Sequence, residues 1–198
     1  MTYIVIGDGT ASGSGNIEAI VPLTGQTIPA DGIFLAAEDT LTLPATPDLV
    51  LNGATNELNF ENSDNVTHML VAGFIGQLND DVDANDDCVM DNMPWAAVLD
   101  QIALVEVDPP VPGVDDCLYG TAKIGPDGTF VPGHEFRCPD GTGAFLIGLF
   151  DPPGADDTPG TANICVARPV PSSGQKTDVR ASRQVSPQEA RERSKADD

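Results

Sequence analysis

The chain has 198 residues, 40% hydrophobic but only 5% aromatic, with 31 Asp and Glu against 9 Lys and Arg and a net charge of −22. That length fits one or at most two domains, with a core built from Val, Ile, Leu and Ala. Ser172–Asp198 holds six of the basic residues and five acidic ones, so Met1–Pro171 alone carries −23. A surface of that sign repels phosphate and argues against binding nucleic acid or anionic membranes, while it attracts cations.

Twenty glycines and 17 prolines suit many short strands joined by turns. Tyr3–Ile6 opens the chain as a β-branched strand ended by Gly7-Asp8-Gly9. A domain seldom begins in mid-strand, so the start reads as cut. Glycines after a strand also occur in phosphate loops, but such a loop needs a helix next. Asn16–Leu23 instead alternates as a second extended segment. Gly32–Ala36, Asp48–Leu51 and Thr67–Ala72 follow as strands. Trp95–Val107 is the longest apolar run; its alternation favours a strand, with a short helical turn near Pro94–Ala97. Gly143–Phe150 is a final core strand. Pro126-Asp127-Gly128-Thr129 and Pro139-Asp140-Gly141-Thr142 are tight turns, Pro presetting φ and Gly taking the left-handed corner. After Arg168 the composition becomes that of a linker, then of a charged tail without a usable apolar face. The reading is therefore all-β: one domain over 1–168, then a flexible, disordered C-terminal tail over 169–198.

Cys88, Cys117, Cys138 and Cys165 lie far apart and form no CxxC pair, which argues against a zinc ribbon. An even count in an acidic, loop-rich chain fits disulfides and an oxidising compartment. Three pairings are open, of which the sequential one closes two loops of similar length. No signal peptide precedes Tyr3, so an extracellular address requires residues upstream of this chain. No stretch is long enough to span a membrane.

The densest chemistry lies in Asp80–Asp91. Asp83, Asn85, Asp87 and Asp91 occupy positions 1, 3, 5 and 9 of a calcium-binding loop. The carbonyl of Val89 falls at position 7, and Asp81 stands by as a reserve ligand. Ca²⁺ is hard and takes six to eight oxygens, which alternate side chains of a tight turn can supply. Position 6 calls for a left-handed residue and holds Cys88 instead of Gly; position 12 holds Pro94 instead of a bidentate Glu, which excludes an EF-hand.

Other constellations are weaker. His68 and His134 are the only histidines, too few for a His-rich zinc site. His134 and Cys138 would face together only on a helix, which the surrounding Gly and Pro oppose, so His134 and Arg137 read as turn or edge residues. Asn59–His68 is rich in side chains that bond their own backbone and predicts an ordered turn. Within it Asn65-Val66-Thr67 matches a glycosylation acceptor. Glu61, Asp64, Asp156 and Asp157 read as solvated loop carboxylates.

Taken in order, Tyr3–Gly9, Pro29–Ala36, Asn59–His68, Gly125–His134, Arg137–Gly143 and Thr158–Gly160 resemble the bacterial lamin-tail-type domain. The likeness covers about residues 2–165. It implies an immunoglobulin-like β-sandwich with long acidic loops, in a family found in secreted or surface proteins and often appended to nucleases or other hydrolases. It carries no catalytic residues. The family usually opens with an Asn-Glu-Ile-like strand and an acidic-aromatic second strand, so the resemblance implies an N-terminally truncated domain with an exposed sheet edge, where a partner could add a strand. The expected function is a non-enzymatic interaction or structural module, secreted or at the cell surface, stabilised by calcium and disulfides, with a protein partner or self-assembly. The alternatives are a part of, or accessory to, a metal-dependent hydrolase such as a nuclease, and a building block of a surface layer or filament.

Overall fold

The computed structural model describes residues 1–8, 13–55, 58–60, 63–128, 130–149 and 157–165. Met1–Cys165 forms one compact unit. The expected tail, Glu61 and Asp156 lie outside the described residues.

The fold is all-β. A five-stranded sheet has the order β2-β1-β5-β6-β7, where β1 is Thr2–Gly7, β2 Asn16–Pro22, β5 Val66–Ala72, β6 Ala97–Leu104 and β7 Lys123–Ile124. Its pairs are antiparallel except β6 with β7. Two smaller sheets accompany it: parallel β3 (Ala36–Glu38) with β4 (Leu49–Leu51), and the hairpin of β8 (Glu135–Cys138) with β9 (Ala144–Ile147).

Alternation along β1 sends side chains to two different cores. Ile4 and Ile6 join Ile17, Met69, Val71, Val82, Cys117 and Tyr119 on one face. Val5 joins Ala19, Val66, Ile102, Leu104 and Val131 on the other. Both faces are covered, which is why β1 is apolar at every position from Tyr3 to Ile6.

Several expected elements stand where the sequence put them: β1, β2, β4, β5 and β6; β9 forms within Gly143–Phe150 as well, but in a separate hairpin with Ala144, Leu146 and Ile147 exposed, so it is not a core strand. The Pro139–Thr142 turn closes the β8–β9 hairpin, with Gly141 at φ +70°. Four further expectations are corrected. Gly32–Leu35 is not a strand, because Asp31 caps the Ile33 amide and the Asp48 carboxylate takes the Leu35 amide, so β3 begins only at Ala36. There is no helical turn at Pro94–Ala97: the Ala96 amide donates to the Ala72 carbonyl and the chain runs straight into β6. Tyr3–Ile6 is not a sheet edge, since β1 pairs with β2 on one side and β5 on the other; the edges are β2 and β7. Asn65 is no glycan acceptor. It is fully buried, its amide donates to the carbonyls of Val107 and Asp116, and its oxygen accepts from the amides of Glu106 and Val107. That side chain ties the end of β6 to the segment leading to Cys117.

The cysteines pair sequentially, Cys88 with Cys117 and Cys138 with Cys165, at Cα separations of 5.1 and 5.6 Å. No free cysteine remains. Each bridge closes a loop of 29 or 27 residues, for which chain entropy gives about 3.5 kcal/mol. Two disulfides fit an oxidising environment. No helix among the described residues is long and apolar enough to cross a membrane.

A candidate cation loop locked by a disulfide

The acidic loop leaves β2 by main-chain contacts. The Ile17 amide donates to the Asp80 carbonyl, the Asn79 amide to the Ile17 carbonyl, and the Val82 amide to the Gly15 carbonyl. These bonds draw Val82 into the core, where it is fully buried, and set Asp83 directly beneath the loop.

Asp83 is also fully buried, and its carboxylate is well provided with donors. It accepts from the amides of Asp87 (3.2 Å) and Cys88 (2.9 Å) and from the Tyr119 hydroxyl (2.8 Å). The Tyr119 hydroxyl lies 3.1 Å from Ser14 Oγ, which accepts the Cys117 amide at 2.6 Å. Donors thus point in series from Cys117 through Ser14 and Tyr119 to Asp83, each polarising the next. Burial pushes the Tyr119 phenol up, the Ser14 hydrogen bond lowers it and Asp83 and Asp116 raise it again, so it remains a donor. The Cys88–Cys117 bridge closes this ring covalently.

Cys88 sits at φ +68°. The left-handed corner that the loop pattern needs at position 6 is therefore present, carried by a cysteine held in a disulfide instead of by Gly. Met90 packs against the core and anchors the loop there. Gly15, at φ +96°, is needed on the opposite wall: a Cβ there would lie 2.8 Å from Asp83 Cβ and 3.0 Å from the Tyr119 oxygen.

The six expected ligands divide into two groups. Asp83, Asn85, Asp87 and Val89 share the tight turn: Asn85 Nδ2 donates to Asp87 Oδ2 and the Val89 amide to Asp87 Oδ1. Asp81 accepts the Asp83 amide, and with Asp80 and Asp91 it lines a neighbouring concavity walled by Trp95 and Val98. Asp83 is enclosed, whereas Asp81, Asn85, Asp87, Val89 and Asp91 are exposed. Among the described residues no three His, Cys, Asp or Glu side chains converge tightly enough to hold a metal.

Charge around the loop is unbalanced. Lys123 pairs with Asp108, and Arg137 with Asp100 while stacking 3.8 Å over the Phe145 ring. These are the only Lys and Arg among the described residues. Among the described residues, therefore, no lysine or arginine pairs with Asp80, Asp81, Asp83, Asp86, Asp87 or Asp91.

No family model, curated protein or solved structure matches this chain.

The opposite face of the sheet holds a group that the sequence reading passed over. His68 is 8% exposed, and its Nδ1 lies 2.5 Å from the Tyr3 hydroxyl. Burial lowers its pKa to about 4. Its Nε2 is buried without a hydrogen-bond partner. Nearby Glu135 is pushed up to about 7, mainly by burial. The only sequence signal was His68 on an apolar strand directly after a polar turn.

Proposed function

We propose that this domain is a non-enzymatic interaction or structural module of secreted or cell-surface proteins, whose disulfide-locked acidic loop takes a calcium ion. The observation that carries the reading is the loop's charge: six carboxylates on and beside a turn fixed from beneath by Asp83, with no lysine or arginine among the described residues paired with them. Repulsion among such carboxylates is relieved most directly by a hard divalent cation. Asp83 orients the turn; Asn85, Asp87, the Val89 carbonyl and Asp91 supply exposed oxygens, with Asp81 in reserve. The left-handed corner at Cys88 supports the loop geometry, and the two bridges support an oxidising location. An immunoglobulin-like sandwich of the lamin-tail type is the architecture we assign to it, on the order of the strands and turns. A partner strand is proposed to add to the outer edge of β2 beyond Ile17, which no strand covers among the described residues.

Thermal unfolding in EDTA and then in roughly 10 mM Ca²⁺ tests the reading. An extracellular-type site of Kd about 0.1–1 mM adds roughly 1.4–2.7 kcal/mol, a rise of about 3–10 °C for a domain of this size. Asp87→Ala should abolish the rise. An unchanged transition in Ca²⁺ would reduce the loop to a solvated acidic turn. Light scattering at the same Ca²⁺ concentrations tests self-assembly through β2, and a monomer throughout would exclude a second copy as the partner.

A further inference from the structure

The concavity beside the acidic loop measures about 780 Å³ and has two kinds of wall: Asp80, Asp81 and Asp91 line it together with Met93, Trp95 and Val98. The apolar wall is open to solvent. Met93 is 52% exposed, Val98 39%, and Leu99 just beyond them 51%. The strand that carries Val98 and Leu99 is uncovered as well. β7 reaches β6 only at Ala103 and Leu104, so the first half of β6 has β5 on one side and no strand on the other among the described residues.

Carboxylates alone would only gather counter-ions. The apolar wall adds a chemistry that a metal ion does not use, since exposed Met and aromatic side chains are characteristic of protein interfaces. The charge then selects the partner. Met1–Pro171 carries −23, which repels an acidic partner and draws a basic one. The chain's own described cations do not answer that charge, because Lys123 pairs with Asp108 and Arg137 with Asp100. The shape of the partner follows from the two kinds of wall. Successive side chains of an extended segment point to opposite sides, so a segment that alternates basic and apolar residues offers one kind to the carboxylates and the other to Met93, Trp95 and Val98.

We infer that this concavity docks an extended segment of a basic protein partner, in which Lys or Arg alternates with apolar residues. The basic side chains meet Asp81 and Asp91, and the apolar ones cover the exposed wall at the start of β6. The inference does not rest on calcium, although the two ligands share Asp81 and Asp91.

Fluorescence anisotropy of a fluorescein-labelled octapeptide alternating Lys and Val tests this on the full chain. EDTA is present throughout, so the outcome is independent of the calcium loop, and salt is held at roughly 0.15 M, where exposed charges more than about 8 Å apart are largely screened. Wild type should bind the peptide saturably, one per chain. Asp81→Asn with Asp91→Asn removes two charges while Asn keeps an acceptor for the Asp83 amide; it should weaken binding roughly tenfold. Asp31→Asn with Asp127→Asn removes the same charge from exposed loops outside the concavity and should leave binding within about twofold. A peptide with Ser in place of Val should bind roughly tenfold more weakly. Absence of saturable binding by folded wild type, or equal weakening in the two double variants, would overturn the docking site and leave only diffuse attraction of charge. Equal binding of the Lys–Val and Lys–Ser peptides would overturn the apolar contact.

Discussion

The two faces of the main sheet are covered by different means. Over Ile4, Ile6 and Val71 the cover is a loop that carries six carboxylates, and it is held by a disulfide and a chain of buried hydrogen bonds ending on Asp83. Over Val5, Ile102 and Leu104 the cover is a hairpin and scattered aromatics, the hairpin tied at its end by Cys138–Cys165 and to β6 by Arg137 and Asp100, and it leaves a cavity beside His68. A polar loop cannot stay on an apolar sheet by burial alone, because its own groups prefer water. It stays through covalent and directional bonds, and its shape is fixed as a result. The apolar cover is anchored at the ends of its hairpin and not through a buried polar network, and its packing is less complete.

The largest expected effect separates the two bridges. Removing Cys138–Cys165 by Cys138→Ala with Cys165→Ala should cost about 3.5 kcal/mol in urea unfolding, the value for its loop length. Removing Cys88–Cys117 in the same way should cost more, because Cys88 leaves its left-handed corner and loosens the amides that Asp83 accepts. Equal losses would mean that the polar network stands without the bridge.

Asp83→Ala comes next. It strands the Tyr119 hydroxyl and the amides of Asp87 and Cys88, and a loss of about 3 kcal/mol is expected. Asp87→Ala, on the exposed side of the same loop, should cost under about 1 kcal/mol without calcium. Similar losses from both would contradict the division between an orienting and a ligating carboxylate.

Gly15→Ala should destabilise by roughly 1–3 kcal/mol, since it sets a Cβ against Asp83 at a φ that side chains rarely adopt. Gly25→Ala, also at positive φ but with open space around it, should cost only the backbone part, roughly 1 kcal/mol.

The other face is probed by pH. His68 has its folded pKa lowered from 6.5 to about 4, so the unfolded chain binds the extra proton between those values. Its contribution is complete above pH 6.5 and is lost as pH falls toward 4, about 3 kcal/mol in all. Glu135 runs the opposite way: its folded pKa is raised from 4.5 to about 7, so its contribution is complete below 4.5 and is lost as pH rises through 7. The two offset each other between about pH 4.5 and 6.5. Glu135→Gln should therefore uncover a stability that rises with pH across that window, and His68→Phe one that falls. Parallel profiles in wild type and both variants would show that neither group is buried as described.

Most strands of the main sheet were legible because a strand covered on both faces is apolar at every position, as in Tyr3–Ile6 and Ile102–Val105. The loop's geometry was half legible. The oxygen spacing at Asp83, Asn85 and Asp87 marks the turn, but that Cys88 takes the left-handed corner depends on contacts with Cys117, 29 residues away. The burial of Asp83 was not legible, because its decisive partner, Tyr119, comes from a distant segment with no motif. β7 and β8 were passed over for the same kind of reason: Lys123–Ile124 is short, and Glu135-Phe136-Arg137-Cys138 is polar at alternate positions and defined by its hairpin partner. The Tyr3–His68 pair exists only because β1 and β5 are neighbours, which no local pattern states.

The central claim, a cation held by the acidic loop, is tested most directly by terbium luminescence. Tb³⁺ substitutes for Ca²⁺, and Trp95, the only tryptophan, lines the same concavity as Asp81 and Asp91. Excitation of Trp95 should give terbium emission that saturates at one ion per chain, is displaced by Ca²⁺, disappears in Trp95→Phe and weakens strongly in Asp87→Ala. Emission that never saturates, or that Asp87→Ala leaves unchanged, would contradict a calcium site in this loop.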